Sequence, residues 1–289
     1  MPPTTDKATS KPRTTVDATR VKQIGCVAYL NSKPLIDGLE DLTDPVVRLD
    51  VPSALLADLE QGEVDIALCP VIDYFRSNRP LVVVPVGCIA SDGPTQTVRI
   101  FSKTPVDSIT QIHADIDSHT SVALLRVILN RLHGIDPQVV AFDARQKTAD
   151  DQTQPPEAML LIGDKVVNQA PSDEAYPYQL DLGEAWKGLT GLPFMFAVWM
   201  AQTDTDLGDL PERLDRLRKH NAEQSDAIAD RHAASHGWEV TQARAYLGKV
   251  LSYRVGDEHL QAMARFAEEA AALRLIPEAK PIALWRAGS

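Results

Sequence analysis

The chain has 289 residues, of which 44% are hydrophobic and 24% are charged, a composition that excludes a wholly disordered chain, a collagen-like chain and a coiled coil. Its 40 acidic and 29 basic residues give a net charge of -11. A non-specific nucleic-acid binder carries the opposite sign, because it neutralises phosphates with Lys and Arg. At roughly 150 residues per domain, the length fits one large or two modest domains.

The first twenty residues are rich in Thr, Lys and Pro and are predicted to form a disordered tail. They lack the roughly 7–15 apolar residues of a signal peptide, and no later stretch approaches the roughly 20 apolar residues of a membrane span. The cysteines Cys26, Cys69 and Cys88 are scattered and form no CxxC, which indicates buried free thiols. We therefore expect a cytoplasmic protein that binds neither a membrane nor a nucleic acid.

The first seventy residues alternate between strands and helices. Apolar runs predict strands at 21–29, 46–51 and 64–70, with a helix after each of the first two. Pro34 fits the first turn of the first helix, and the second helix is expected to start with Ser53 as its cap and to end at Gly62. This order predicts an α/β fold with some parallel strands.

The middle of the chain continues in the same way. Residues 120–132 give the clearest helical pattern in the chain, ended by Gly134, whereas 105–112 is predicted as a short helix or turn. Residues 144–156 and 170–177 are predicted loops, and 183–190 is a helix or turn. Further strands are expected at 81–86, 88–90, 97–102, 138–142, 158–162, 178–182 and 192–200.

Beyond Thr203 the pattern is helical, with helices expected at about 209–220, 222–236, 240–252 and 257–273. The simplest architecture has two lobes joined by two crossovers, with the helical C-terminal part returning to the first lobe. Residues 21–102 and 196–289 would form the first lobe, and 103–195 the second. A cleft between two such lobes is a common place for a ligand to bind.

The common catalytic templates are absent: the chain has no GxSxG, HExxH, Walker A or GxGxxG motif. Of its seven histidines, only His232 and His236 share a helical spacing, on a polar helix. We therefore expect neither a metal nor a cofactor.

Small polar residues instead recur where predicted strands end or helices begin. Each has a plain structural reading as a turn, a cap or a hinge. Together they predict a cleft that holds a small anion through hydroxyls and the N–H groups of a helix N-terminus. These positions are Asn31, Ser91 with the following Asp92 and Gly93, Thr120 with Ser121, Gly163 with Asp164, and Gly191 with Leu192.

Six sequence blocks, taken in order, resemble the MqnA family, the chorismate dehydratases of the futalosine route to menaquinone. They are IGCVAYLNSKPL, GEVDIALCPVIDYFR, CIASDGPTQTVRIFSK, DSHTSVALLRVIL, AMLLIGDKVV and DLGEAWKGLTGLPFMFAVW, and they cover roughly residues 22–201. The resemblance implies a two-lobed periplasmic-binding-protein-like type II fold with a ligand cleft between the lobes. It also implies loss of water from chorismate to give 3-[(1-carboxyvinyl)oxy]benzoate, without a metal or cofactor.

The resemblance assigns roles to individual residues. Asn31 would be the chief catalytic or orienting residue, Gly191 and Leu192 would line the cleft, and the carboxylates of chorismate would be bound by Ser91, Thr97, Thr120 and Ser121. The chain departs from the family at His119, where an Arg is common, and at Asp117, where a Ser is common. If Asp117 points inward, it would repel an anion.

None of the matched blocks contains an evident general base. We therefore expect the enolpyruvyl carboxylate of the substrate to take the C3 proton, while the protein orients and desolvates it.

Two alternatives stay open at this point. A non-catalytic small-anion binder of the same fold would be expected to carry a signal peptide or lipobox. An MqnD-type lyase would need a base near the cleft and a larger pocket. The expected partner is the small-molecule substrate alone, in a monomer or a homodimer.

Overall fold

Strands and helices alternate along the chain, as the apolar runs predict, and they form an α/β structure. The structure is a computed structural model that describes residues 22–39, 45–115, 117–142 and 155–286. The predicted tail at 1–20 and most of the predicted loop at 144–156 lie outside these ranges. The described strands are β1 (Gln23–Val27), β2 (Val46–Asp50), β3 (Ile66–Pro70), β4 (Leu81–Ser91), β5 (Val98–Ser102), β6 (Gln111–Asp115), β7 (Gln138–Phe142), β8 (Ala158–Ile162), β9 (Tyr178–Asp181), β10 (Phe194–Gln202) and β11 (Leu251–Ser252).

Helices cover both sheets and supply the C-terminal part of the chain. Short 3-10 helices span Leu30–Ser32, Val106–Ser108 and Ala234–His236, and a π-helix spans Tyr246–Val250. The described α-helices are α1 (Lys33–Ile36), α2 (Pro52–Gln61), α3 (Val71–Arg76), α4 (His119–His133), α5 (Asp164–Gln169), α6 (Leu182–Thr190), α7 (Leu210–Glu223), α8 (Ser225–His232), α9 (Val240–Ala245) and α10 (Asp257–Ala272).

The strands form two separate sheets, which gives the expected two lobes. The first sheet has the order β11-β4-β10-β3-β1-β2, with β1 parallel to β2 and β3, and β10 antiparallel to β3 and β4. The second has the order β7-β6-β8-β5-β9, with β6 parallel to its neighbours and β5 antiparallel to its own. We call them lobe 1 and lobe 2, each with the helices packed on it.

The chain crosses between the lobes earlier than the sequence predicts. Val98–Ser102, which we expected in lobe 1, pairs with β8 and β9 of lobe 2, so the first crossing lies at 92–97. The chain returns before Phe194, which already pairs with β4 of lobe 1. The expected boundaries at 102 and 196 are therefore corrected, because an apolar strand carries no mark of which sheet it joins.

A single carboxylate ties the first crossing to the start of α6. Asp181 caps α6 by accepting hydrogen bonds from the backbone N–H groups of Gly183 and Glu184, at 2.9 and 3.1 Å. It also accepts from Thr95 and Gln96, at 3.0 and 2.7 Å. Gln96 has a φ of 64°, an uncommon backbone conformation for a residue with a side chain. The two hydrogen bonds from Thr95 and Gln96 to Asp181 hold the crossing in this conformation.

Aromatic side chains join the second crossing to the helical return. Trp186 of α6 contacts Phe194 of β10 with ring centroids 5.2 Å apart, and Phe266 of α10 lies 5.0 Å from Phe194. All three rings are almost completely buried. Edge-to-face aromatic contacts of this kind add to the free energy gained from burial. They fix α10 against the strand that re-enters lobe 1.

Several local predictions are confirmed and others are wrong. The helix predicted at 120–132 is α4, ended by Gly134 with a φ of 68°. The short helix or turn predicted over 105–112 is confirmed by the 3-10 helix Val106–Ser108. The prediction missed that β6 begins at Gln111, because the mixed polar sequence of this strand does not show that it pairs in parallel on both sides. Ser53 is not the cap of α2, because Pro52 already occupies its first turn after Val51. The helix expected at 240–252 is divided into α9, the π-helix and β11.

Among the described helices, none combines the length and apolar character that a bilayer crossing requires. The three cysteines are buried and unpaired, as predicted. Burial raises the pKa of the Cys26 thiol to about 12.

We expect Asp181→Ala to lower the free energy of unfolding by about 3 kcal/mol, because it leaves buried N–H groups at both crossing segments without acceptors. Asp181→Asn keeps one oxygen acceptor and should cost about 1 kcal/mol. Urea denaturation measures both. The exposed Asp107→Ala serves as the control and should change stability by less than about 0.5 kcal/mol. Equal losses in the Ala and Asn variants would contradict the proposed role of these hydrogen bonds.

Candidate functional site

A cavity lies between the two lobes. Its walls are mostly apolar, with a few hydroxyl and amide groups directed into it. The lining residues are Val27, Tyr29, Asn31, Pro52, Pro70, Ile89, Thr95, Thr97, Val98, Ser118, Ser121, Ile162, Gly163, Phe196, Ala197, Tyr246 and Leu251. Apolar walls with a small number of placed polar groups are typical of small-molecule sites.

Asn31 enters this cavity from the short 3-10 helix that follows β1. The hydroxyl of Ser32 anchors that helix by donating to the carbonyls of Val27 and Tyr29, at 2.8 and 2.9 Å. Asn31 Oδ1 is buried and has no hydrogen-bond partner in the described part of the chain. Buried polar atoms are nearly always paired, so a free acceptor in a cavity wall is a place where a ligand hydroxyl can donate.

Tyr246 faces the cavity from the π-helix. Its hydroxyl lies 2.7 Å from Thr97 Oγ1, and Trp238 stacks on its ring at 4.6 Å. Burial raises the pKa of the Tyr246 phenol above its usual range, although hydrogen bonds from Thr97 and Asn31 offset part of this effect. The phenol therefore stays neutral at physiological pH and acts as a hydrogen-bond donor or acceptor.

The N-terminus of α4 supplies the polar wall of lobe 2. Ser118 caps the helix by accepting from the backbone N–H of Ser121 at 3.2 Å, and its hydroxyl donates to Ser121 Oγ at 2.8 Å. Both serines line the cavity. The helix has 15 residues, so its first turn presents N–H groups and partial positive charge. This wall is suited to a carboxylate.

A buried ionic cluster lies behind the same wall. Lys165 Nζ donates to Asp115 at 2.7 and 2.9 Å and to Asp117 at 2.7 Å, and the Tyr29 hydroxyl donates to Asp117 at 3.0 Å. Burial raises the pKa of Asp115, which Lys165 partly opposes. Lys165 is one cation shared by two carboxylates, so the cluster keeps a formal charge of −1 behind the wall, with Asp117 held by both Lys165 and Tyr29.

His119 and Thr120 join the lobes instead of lining the cavity. His119 Nδ1 lies 2.8 Å from Asp73 Oδ1 of α3. Thr120 Oγ1 accepts from the backbone N–H of Ile72 at 3.2 Å. The first turn of α4 is thereby fixed against α3 of the other lobe.

The structure brings Asn31, Thr97 and Ser121 together at the cavity and places the other four predicted site residues away from it. Thr120 is engaged by Ile72 as described, and Ser91 turns its hydroxyl onto the carbonyl of Gly93 at 3.1 Å. Gly191 ends α6 with a φ of 72°, and the N–H of Leu192 donates to Thr190. These four residues are not among the described residues that line the cavity, because sequence blocks do not show which side of a strand end or helix faces the cleft. Their roles toward a substrate stay predictions.

Sequence reasoning missed Tyr246, Thr95 and Phe196 as cavity residues. Tyr246 lies in a helical stretch far along the chain, and nothing in its neighbours marks it as part of a site. Tyr29 stood inside a quoted block, and its ring packs against Gly163, where an added Cβ would approach it to 3.4 Å.

The remaining candidates for chemistry have structural partners. His232 pairs with Asp37 and His236 with Asp164, so the two histidines do not converge. Within the described ranges, no group of three or more His, Cys, Asp or Glu side chains is placed to hold a metal ion. Arg99 lies over the ring of Phe101, 5.7 Å from its centroid, and is not a lining residue.

Comparison with known proteins gives both sequence and structural relatives. The profile of the menaquinone biosynthesis family matches residues 22–272. A curated chorismate dehydratase of Thermus thermophilus is 28% identical over 190 residues, which are 61% of this chain and 68% of that protein.

Three solved structures share the fold at low sequence identity. A protein of Archaeoglobus fulgidus gives a TM-score of 0.69 at 15% identity, covering 88% of this chain and 98% of its own. The alkanesulfonate-binding protein SsuA of Xanthomonas axonopodis pv. citri gives 0.67 at 14%, covering 92% and 98%. The periplasmic aliphatic sulphonate binding protein SsuA of Escherichia coli gives 0.59 at 16%, covering 90% and 95%. The expected periplasmic-binding-protein-like fold is confirmed.

We expect Lys165→Met to lower the free energy of unfolding by about 3–5 kcal/mol, because it leaves two buried carboxylates without their cation. Adding Asp117→Asn should recover part of this loss, since one of the two charges is then removed. Urea denaturation of the single and double variants measures the coupling. Lys187→Met, which breaks a more exposed ion pair with Asp92, is the control and should cost less than about 1 kcal/mol. An unchanged or larger loss in the double variant would show that charge balance is not what Lys165 supplies.

Proposed function

Because the chain belongs to the menaquinone biosynthesis family, we propose that it is a chorismate dehydratase, a hydro-lyase that converts chorismate to 3-[(1-carboxyvinyl)oxy]benzoate. The observation that carries the proposal is Asn31. Its buried Oδ1 has no partner among the described residues, and Asn31 lines the interlobe cavity at the position to which the family resemblance assigns the chief catalytic role. The similarity to the Thermus thermophilus enzyme supports the same substrate.

The cavity offers suitable partners for the polar groups of chorismate. A carboxylate would accept a hydrogen bond from the hydroxyl of Ser121, which Ser118 holds in place, and would lie at the positive end of α4. The ring hydroxyl at C4 would donate to Asn31 Oδ1 from the side of lobe 1. Held from both lobes, the ring would have its leaving group and its C3 hydrogen in fixed positions.

The proton acceptor in this proposal is the substrate. No His, Lys, Asp or Glu is among the described residues that line the cavity, and the Tyr246 phenol is neutral. The enolpyruvyl carboxylate takes the C3 proton, and the C–H electron pair forms the C3–C4 double bond as the C4–O bond breaks. The departing hydroxyl takes that proton and leaves as water. Aromatisation of the ring supplies the driving force.

The apolar part of the lining supports this reaction by excluding water. Ile89, Ile162, Phe196 and Leu251 surround the polar groups. Hydrogen bonds to a developing charge are stronger where water is excluded and the donors are already oriented. As part of the same proposal, the enzyme acts in the cytoplasm, as a monomer or homodimer, with chorismate as its small-molecule partner.

We expect the purified protein to convert chorismate to the carboxyvinyloxy-benzoate, and Asn31→Ala to lower kcat/KM by about 10²–10³-fold, since it removes a group that orients the leaving hydroxyl. Product formation is followed by liquid chromatography. Asn130→Ala, a change on α4 outside the cavity lining, is the matched control and should keep wild-type activity.

If the wild type leaves chorismate unchanged but chorismate raises its melting temperature, the protein is a binder of the same fold. Turnover that survives Asn31→Ala at the wild-type rate would remove Asn31 from the mechanism.

A pair of adjacent substitutions tests the carboxylate wall. Ser121→Ala removes a cavity hydroxyl and should raise KM by about 10-fold with a smaller change in kcat. Thr120→Ala removes the acceptor for Ile72 and should lower the melting temperature while leaving KM within about 2-fold. Steady-state kinetics and thermal melts on both variants separate the two effects. A larger KM effect at Thr120 than at Ser121 would contradict the placement of α4.

A further inference from the structure

Asp164 lies at the boundary between the lobes without lining the cavity. It is the first residue of α5, directly after Gly163 at the end of β8, and its side chain is 14% exposed. Three donors converge on its carboxylate: the backbone N–H of Leu30 at 3.2 Å, His236 Nδ1 at 2.8 Å and Trp238 Nε1 at 2.8 Å. All three donors belong to lobe 1, whereas Asp164 belongs to lobe 2. The carboxylate is therefore a direct hydrogen-bond link between the lobes.

One of these bonds acts on the backbone beside Asn31. Leu30 begins the 3-10 helix that carries Asn31, and the side chain of Tyr29, the residue before it, does not cap this helix. Ser32 anchors its other end through the carbonyls of Val27 and Tyr29. Asp164 supplies the contact at the near end. The amide of Asn31 is thus held between an anchor in lobe 1 and an anchor in lobe 2.

A second bond acts on the ring of Tyr246. The indole N–H of Trp238 donates to Asp164 Oδ1, and the indole ring stacks on Tyr246 with an interplanar angle of 19°. Tyr246 in turn reaches Thr97 of the crossing with its hydroxyl, at 2.7 Å. Because a stacked ring limits where its neighbour can lie, fixing Trp238 fixes the face that Tyr246 presents to the cavity.

We propose that Asp164 is a positioning residue that couples closure of the two lobes to the alignment of Asn31 and Tyr246 in the cavity. When the lobes separate, the Leu30 N–H and the Trp238 indole lose their acceptor, and both cavity side chains lose an anchor. When the lobes meet, the carboxylate of Asp164 accepts both hydrogen bonds again. The reaction-related part of this inference rests on the proposed dehydratase activity, whereas the positioning itself does not.

Hydrogen exchange tests the positioning independently of any activity. In Asp164→Asn, whose side chain offers one acceptor oxygen instead of two, we expect the backbone amide of Leu30 to exchange about 10-fold faster than in the wild type. Asn168→Ala is the matched control: it lies on the same helix and removes another interlobe hydrogen bond, from Asn168 Nδ2 to the carbonyl of His236 at 2.9 Å. It touches neither Leu30 nor the Trp238 indole in the described contacts, and should leave the exchange of Leu30 unchanged.

Kinetics of the same variants tests the consequence for the reaction. We expect Asp164→Asn to lower kcat about 10-fold or more with KM within about 3-fold, and Trp238→Phe, which keeps a stacked ring but loses the indole N–H, to act in the same direction. In the double variant kcat should fall by less than the product of the two single reductions, because both substitutions remove the same Trp238–Asp164 hydrogen bond. Asp164→Glu, which keeps the charge, should recover part of the kcat.

Faster exchange at Leu30 together with the kcat loss supports the proposal. Equal effects of Asp164→Asn and Asn168→Ala on exchange and kcat would overturn it, since interlobe contact in general would then be responsible. If the wild type does not turn over chorismate, the proposed activity fails, and the exchange comparison alone decides the positioning role.

Discussion

Four backbone N–H groups converge on the carboxylate of Asp181, and the arrangement of the two lobes depends on this convergence. Two of the donors belong to the segment that leaves lobe 1, and two belong to the helix that leads back to it. A buried carboxylate surrounded by N–H groups is stable only if all the groups stay in place, so the two connections behave as one unit. The same unit delivers Thr95 and Thr97 to the cavity wall. The hydrogen bonds that fix the crossing therefore also fix the position of two hydroxyl groups in the cleft.

In the proposed function the cleft binds a carboxylate, although no Lys or Arg is among its described lining residues. Lys165, which lies behind the polar wall, is already shared by Asp115 and Asp117. Attraction for a carboxylate therefore comes from the first turn of α4 and from serine hydroxyls, whose dipoles are fixed before the ligand arrives. Such dipoles hold a carboxylate without a proton-accepting side chain beside it. This agrees with a reaction in which the substrate carries its own base.

The sequence predicted best those parts of the structure that are determined locally. Helix α4 has strong apolar periodicity and a terminal Gly134, and Asn31 sits in a block with a family counterpart. Strand pairing was not predictable from the sequence. β5 pairs with a strand of lobe 2, and the mixed polar sequence of β6 forms a strand because it pairs with a neighbouring strand on each side. Tyr246 was missed for the same reason, since its role depends on contacts with Thr97 and Trp238, both distant in sequence.

Tyr246 opens a π-helix, in which each turn holds one residue more than in an α-helix. This geometry makes the length of the segment important. Deleting one residue from the part that follows Tyr246 would let the segment relax to an ordinary α-helix, and Tyr246 would turn by about 100° relative to β11, which comes directly after it. Because Tyr246 and Leu247 also belong to the hydrophobic core, such a deletion would disturb the packing of the core together with the wall of the cavity. The length of this five-residue segment therefore couples the packing of the core to the shape of the cleft.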